Sequence, residues 1–589
     1  MKLRSLFYIV AGSLLALVLV AAGIFFWFPG QTSLRLLQEG EQVDPTAAVF
    51  VPKQAPVMIS LLTNPSRIEA LSQVLVRRSQ RQVAEAEIDQ LKQRLLTTTG
   101  LDYAEDIEPW LGDEITLAVT TPDLDHDADN GQQPGYLLAI ATQDPEQSQK
   151  FLQLFWQQRA LAGTELTFEQ YAGVKLIYNH PDAAPIKSPN STQTANEPVS
   201  TAGLAPGVTS AAVGDRFILF ANHPKVIRAA INNVQAPELN LESAIAYQNA
   251  LQNLSTKRIG LTFFNLPQLA QWLETIAPDQ TQALGISQST PKVFESLVMS
   301  VELNRQGLVA DTALLTIPGQ MLAPADPALT RVKALKYIPA ESPLVATGAD
   351  LNQLWHHAAT EFTGYEAIAQ PWVQPLQTLE ERWQIQIPDD VFSWVQGDYA
   401  LGLLPKANAA PDWVFVAQKL TDANADPQIN KLDTSAQNQG LTTAPLRVGQ
   451  QEVMTWTRLS TDVGTADNQP QELTLQAQLA GLHTTVENHE IFATSIAAMN
   501  AALNAPQQSR KAADDLQLAI EQLSNPNDGY LYIDWLAIQA LAEKQLPLLK
   551  PLESAGDLLF RHLKSLTFSS YGNNEQARFG KLFIHLTDS

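Results

Sequence analysis

Cysteine is absent from the 589 residues, and its absence removes disulfides, thiolate metal sites and cysteine nucleophiles together. The compartment stays open, because a large domain folds without disulfides on either side of a membrane. Positive charge is scarce: 38 Lys and Arg stand against 61 Asp and Glu, a net charge of −23. A polyanion of that size is repelled by phosphate backbones, so nucleic acid is not an expected partner. The nucleophile-elbow, phosphate-loop and dinucleotide fingerprints are missing as well. No apolar run of membrane-spanning length follows the first thirty residues. The chain is 45% hydrophobic and 17% charged, the balance of a globular protein rather than a disordered one. Its length exceeds what one core serves, so two or more domains are expected.

Leu6 to Phe28 reads LFYIVAGSLLALVLVAAGIFFWF, with only Gly and Ser interrupting the apolar run. At about 1.5 Å per residue it spans a hydrocarbon core roughly 30 Å thick. Lys2 and Arg4 precede it, so the N-terminus is expected in the cytoplasm and the bulk of the chain outside. These are the only charges in residues 1–30, which leaves −25 for the remainder. A cleaved signal peptide is the rival reading, with Val20-Ala21-Ala22 at the cut. Against it, the run continues through Ile24, Phe25, Phe26, Trp27 and Phe28, past the about 7–15 apolar residues usual in a signal peptide. An uncleaved single-pass anchor is the expectation, with Trp27 and Phe28 at the far interface.

Beyond the anchor, similar stretches recur in the same order. Pro52 and Pro56 precede an apolar run, as do Pro339 and Pro343. DIEPWLGDEITLAV resembles DVFSWVQGDYALGLL, which pairs Asp106, Trp110, Gly112 and Asp113 with Asp390, Trp394, Gly397 and Asp398. Phe220-Ala221 matches Phe492-Ala493, and LSTKRIGLTFFNL matches LSNPNDGYLYIDW through Leu254, Gly260 and Phe263 against Leu523, Gly529 and Tyr532. The separations Pro52 to Pro339, Asp106 to Asp390, Phe220 to Phe492 and Leu254 to Leu523 shrink from 287 through 284 and 272 to 269. A one-way drift is what shorter connections in a second copy produce. Pro/Ser/Asn-rich insertions also fall at one point of both halves, 181–207 and 460–472, and read as exposed loops without a core. A diverged tandem duplication is the expectation.

Within one unit, strand and helix periods alternate. PVMISLLT, EITLAVTT, GYLLAIAT, VKLIYNH, RFILFANH and RIGLTFFNL read as strands. PSRIEALSQVLVRRS, EAEIDQLKQRLLT, PEQSQKFLQLFWQQRAL and HPKVIRAAINNV read as helices, and VFESLVMSVEL with GLVADTALLT as a closing hairpin. Strands often follow one another directly, which favours an α+β class with an antiparallel or mixed sheet over a doubly wound one. Trp110 and Trp394 each stand before a Gly-Asp turn and are expected as core anchors.

Candidates for chemistry are few. DLDHDADNG, Asp123 to Gly131, alternates Asp125, Asp127 and Asp129, but Gly131 is one position late for a calcium loop and Tyr136 stands where the closing Glu belongs. It reads as a solvated hairpin tip. His356, His357 and Glu361 lack further ligands at helical spacing, and His483 and His489 flank a turn without partners at metal spacing. Arg77, Arg78 and Arg81, with Lys92 and Arg94, form the one cationic cluster and read as a solvated helix face. No catalytic, cofactor-binding or metal residue is nominated, and no cofactor is expected.

The anchor, the Pro-x-x-x-Pro strand, ISLLTNPSRIEAL (Ile59 to Leu71) and the turn Trp110 to Glu114 together resemble a known family. It is the cyanobacterial group of membrane-associated proteins called domain of unknown function three-three-five-two, and the likeness covers nearly the whole chain after the anchor. The resemblance implies location and source, with periplasm or thylakoid lumen as the outside; it brings no site residues. The expected organisation is a cytoplasmic tail and transmembrane anchor at 1–30, a membrane-proximal linker at 31–47, unit one at 48–318, a linker at 319–334 and unit two at 335–589. The expected role is a membrane-anchored, extracytoplasmic binding or scaffold protein without catalysis, its partners the membrane, through the N-terminal helix, and an unknown protein or apolar ligand. A carrier of an apolar ligand and a hydrolase whose site is built from distant residues are the alternatives.

Overall fold

The computed structural model describes residues 44–63, 103–125, 133–179, 208–269, 293–304, 306–322, 332–361, 386–406, 410–420, 425–463, 473–507, 513–545 and 563–586. The anchor, the two helices expected at 65–79 and 85–97, and the loop 181–207 lie outside them.

In the first half the strands are β1 (Val57–Leu61), β2 (Leu111–Thr121), β3 (Gly135–Thr142), β4 (Leu166–Tyr171) and β5 (Val174–Asn179). They continue as β6 (Thr209–Val213), β7 (Phe217–Ala221), β8 (Gly260–Asn265), β9 (Phe294–Asn304) and β10 (Gly307–Thr316). The second half holds β11 (Leu344–Gly348), β12 (Tyr399–Leu404), β13 (Asp412–Gln418), β14 (Thr442–Val448) and β15 (Gln451–Val463). Its remaining strands are β16 (Leu473–Val486), β17 (His489–Ala493), β18 (Tyr530–Asp534), β19 (Leu563–Asn573) and β20 (Ala577–Leu586).

Every pairing among them is antiparallel. Hydrogen-bonded neighbours in the first half run β4-β5-β6-β7-β3-β2-β1-β8-β9-β10. In the second half they run β14-β15-β16-β17-β13-β12-β11-β18-β19-β20. The two orders are the same, and so are the registers. Met58 lies opposite Ala118 and Phe263 as Val345 lies opposite Gly402 and Tyr532. Where one sheet per half is expected, β10 pairs with β20 and the described strands form one sheet of twenty.

Helices cover both faces of the outer strands. On β7, Phe217, Leu219 and Ala221 join the core beneath the helix Pro224–Gln235, whereas Ile218 and Phe220 meet Phe151, Leu152, Phe155 and Trp156 of the helix Pro145–Leu161. That two-sided burial is why FILFA is apolar throughout instead of alternating. Asp144 starts the second of these helices, its carboxylate accepting from the N–H groups of Glu146 and Gln147 ahead of a first-turn proline. Trp110 and Trp394 are both buried.

One expected loop is partly strand. β15 and β16 stay paired out to Val463 and Leu473, so 460–463 belongs to the ladder and only 464–472 lies outside the described residues. The pairs Arg458–Gln478 to Val463–Leu473 extend past the last partner of β14, at Thr457, and of β17, at Leu482. A two-stranded arm results, with Leu459 exposed on it. The sequence conceals the arm because Ser, Thr and Asp dominate its first strand, and pairing rather than composition makes it β.

At the centre, Gly307 opens β10 with φ +151, and a Cβ there would sit 1.9 Å from the Ile584 carbonyl oxygen of β20. Only glycine permits that approach. Gly307→Ala is expected to lower the unfolding free energy by about 3 kcal/mol, read from urea denaturation; a change under about 0.5 kcal/mol would mean the strands adjust without cost.

Candidate functional site

Both halves use a carboxylate at the start of their second strand to hold a short helix. Glu114 accepts from the Thr46 N–H at 2.9 Å, the Thr46 hydroxyl at 2.6 Å and the Ala47 N–H at 2.8 Å, which caps the 3-10 helix Thr46–Phe50. Asp398 accepts from the N–H of Lys333 and, at 3.0 Å, from that of Ala334, which opens the 3-10 helix Ala334–Tyr337. The ladder makes Glu114 the counterpart of Asp398, since Ala118 corresponds to Gly402. Matching Asp113 with Asp398 is one residue off. The sequence shows no repeated polar arrangement because Glu and Asp exchange here, yet the arrangement is repeated. Burial raises the Asp398 carboxyl, but His489 and the two backbone donors hold it below the ordinary range.

The halves then part company. In the first, Phe50 meets Phe217 edge-on at 5.1 Å; at the same positions of the second, Tyr337 meets His489 at 5.6 Å. His489 Nε2 lies 3.4 Å from Asp398 Oδ1, outside hydrogen-bond geometry, and neither ring nitrogen has a hydrogen-bond partner. Further out, the Trp156 indole donates to the Ser210 hydroxyl at 2.7 Å. Counting back seven residues from the positive-φ glycines Gly163 and Gly440, the position of Trp156 is filled by Asp433. Ser210 lies opposite Phe220, as His483 lies opposite Phe492. A neutral Trp–Ser bond in one half is thus an Asp–His ion pair in the other.

Among the described residues, His483 is the densest ionisable centre. Its Nδ1 lies 2.7 Å from Glu490 Oε1 and its Nε2 3.0 Å from Asp433 Oδ1. The Trp456 indole donates to the same Asp433 oxygen at 2.7 Å, and the Thr485 hydroxyl donates to Glu490. The ring stacks on Phe492 at 5.4 Å and lies 5.4 Å from Trp456. Lys419 reaches Glu490 at 3.8 Å and also pairs with Asp426. Burial opposes the imidazolium, but the bonds to Asp433 and Glu490 outweigh it and raise the group to about 9. With a carboxylate on each nitrogen the ring keeps both protons. It has no lone pair left to abstract a proton or bind a metal, so the cluster is an ionic clasp between the helix Ala425–Asn438 and β16–β17.

Sequence reading leaves His483 without partners because Asp433, fifty residues earlier, meets it only once helix and sheet pack. Among the described residues no group of three or more His, Asp or Glu is arranged to hold a metal ion. Asp123 accepts from the Gln133 N–H at 3.2 Å at the base of the β2–β3 hairpin, and 126–132 lie outside the described residues. His356, His357 and Glu361 fall on the helix Leu351–Glu361, with the side chains from His357 onward outside the described residues. The basic residues Arg77 to Arg94 lie outside them as well.

A family model described as protein of unknown function (DUF3352) matches residues 10–586. The chain belongs to that family. No curated protein and no solved structure matches it. For this DUF3352 chain the ionic clasp sets a pH dependence. His483 rises from 6.5 to about 9 on folding, so its contribution is complete below about pH 6.5 and is lost as pH climbs through 9. The loss is roughly 3 kcal/mol. Urea midpoints across pH 6 to 10 should fall on the alkaline side, and His483→Ala should flatten that limb; an unchanged slope would reject the clasp. His489→Phe copies the first half and should leave stability equal or raise it by about 1–2 kcal/mol; a loss above about 1 kcal/mol would show that the buried imidazole is needed.

Proposed function

We propose that the chain is a tandemly duplicated, membrane-tethered binding or scaffold protein that works outside the cytoplasm, without catalysis, and takes a protein partner. The observation that carries this reading is the employment of the buried ionisable groups. Glu114 and Asp398 cap helices. Asp412 accepts from Thr494 at 3.0 Å and Ser495 at 2.6 Å, and is paired with Lys406 at 2.7 Å. His483 is closed off by Asp433 and Glu490. Each of these four is committed to holding one element against another, whereas a catalytic acid or base needs a proton or lone pair free for substrate; His489, buried without a hydrogen bond, is the exception.

Duplication is supported by the shared order and register of ten strands. The tether is supported by Leu6–Phe28 and its basic flank; among the described residues no helix is long and apolar enough to cross a membrane. A cyanobacterial source, with periplasm or thylakoid lumen as the outside, is part of this proposal and rests on the resemblance alone. The exposed arm of β15 and β16 offers an extended surface for a protein partner.

Full-length chain with a C-terminal tag, made in a bacterial host, tests the topology. Protease added to spheroplasts should remove the tag while a cytosolic marker survives, and deletion of residues 1–30 should move the chain to the soluble fraction. A protected tag, or a mature chain that starts after Ala22, would refute the tether. Crosslinking of the arm through Leu459→Cys in native membranes should yield one stoichiometric protein adduct; labelling by lipid alone would refute a protein partner.

A further inference from the structure

The halves meet through equivalent strands, and the register of that meeting singles out one residue pair. β10 and β20 run antiparallel with Asp311 opposite Lys581, midway between Gly307–His585 and Leu315–Ala577. On the far sides Asp311 lies opposite Ser300 of β9, and Lys581 opposite Ser569 of β19. Asp311 and Lys581 therefore occupy the same position in their halves, and a local two-fold relation passes between them. At such an axis a residue meets its own counterpart.

Charge breaks this symmetry. Two residues beyond the serines, β9 carries Glu302 and β19 carries Tyr571. The first half thus brings two carboxylates to the axis, the second an ammonium and a phenol. Asp311 Oδ1 lies 3.3 Å from Lys581 Nζ, with only 11% and 22% of these side chains exposed. Burial raises the Glu302 carboxyl; the Ser255 hydroxyl works against the rise and Asp311 adds to it. Burial and Asp311 push the Tyr571 phenol up to about 12. Further negative charge is therefore resisted here. First half against first half would gather two Asp311 and two Glu302, and second against second would oppose two Lys581. Ala313 and Phe583 on the face of the charges, and Leu308, Ala310 and Ile584 on the other, are fully buried, so apolar burial supplies adhesion without choosing the partner.

We propose that β9–β10 and β19–β20 form an association surface for a copy of the ten-strand module, made selective by Asp311 and Lys581, so that each half accepts the opposite half and rejects its own kind. The proposal rests on strand order, register and charge, and stands whether or not the chain is tethered to a membrane.

The test uses the folded full chain with a protease site inserted in the 319–334 linker. After cleavage the halves should stay together as a one-to-one complex in analytical ultracentrifugation. When differently tagged cleaved batches are mixed and allowed to exchange, a tagged first half should capture second halves and no untagged first half. Asp311→Lys or Lys581→Asp should weaken the complex at least tenfold, more in low salt than in high. The double reversal Asp311→Lys with Lys581→Asp should return it to within about threefold of wild type. Should either single change prevent folding, the double reversal decides: a folded, associated double variant upholds the charge rule, and an unfolded or dissociated one overturns it. Separation of the wild-type halves on cleavage, equal capture of like halves, or an Asp311→Asn change as damaging as Asp311→Lys would also overturn it.

Discussion

The β10–β20 ladder is the constraint on which the rest of the sheet depends. Its nine paired positions are sealed above and below by apolar side chains, Leu308 and Ile584 on one face and Val309 and Phe583 on the other. Without it, each half would end in an open edge strand carrying a row of unpaired backbone groups and a two-sided apolar surface, which is the usual template for wrong association. With it, the two ten-strand orders are joined in the middle, and among the described strands the outer edges fall at β4 and β14, the strands farthest from the junction. β14 carries Pro445, a residue that withholds a backbone donor and discourages a further strand.

Much of this arrangement is legible in the sequence because the two halves share one strand order and register. The drift of the offsets from 287 to 269 follows the chain strand by strand, and the ladder registers reproduce it: Met58 to Val345, Phe220 to Phe492 and Phe263 to Tyr532. Gly529 shows what one such position requires in the second half, whereas its match Gly260 is not a positive-φ glycine. The φ of Gly529 is +121 and a Cβ would stand 2.1 Å from the Thr347 carbonyl oxygen, so a residue with a side chain there would force β18 away from β11. The Trp110 and Trp394 anchors persist for a similar reason, since each fills a volume that no smaller side chain fills.

What stays hidden is chemistry that depends on contacts far apart in sequence or on interchangeable acids. Glu114 and Asp398 perform one task with side chains of different length, so a motif search keyed to Gly-Asp selects the neighbouring Asp113. The clasp around His483 draws on a helix, two strands and the indole of Trp456, and no local spacing announces that set. The continuity of the sheet across the two halves escapes for a different reason. A strand reads the same whether its neighbour belongs to its own unit or to the next, since periodicity reports which faces are buried and not which edge is paired.

The two halves also differ in how they fill equivalent interiors, and the difference has a direction. Phe50, Phe217, Trp156, Ser210 and Ile218 make neutral packing where Tyr337, His489, Asp433, His483 and Glu490 bring titratable groups. Burying an ion pair takes charge out of water, and the recovered Coulomb energy seldom exceeds what an apolar contact of the same volume provides. The first half shows that the fold is satisfied by the apolar solution at these positions. Stability alone therefore does not account for the charges in the second half. Ionic clasps differ from apolar contacts in being directional and in failing steeply when one partner changes charge. They fix the helix Ala425–Asn438 and strands β16 and β17 in one relative position, next to the base of the projecting β15–β16 arm. The charged groups thus stiffen the junction of helix and sheet from which the paired segment of β15 and β16 continues.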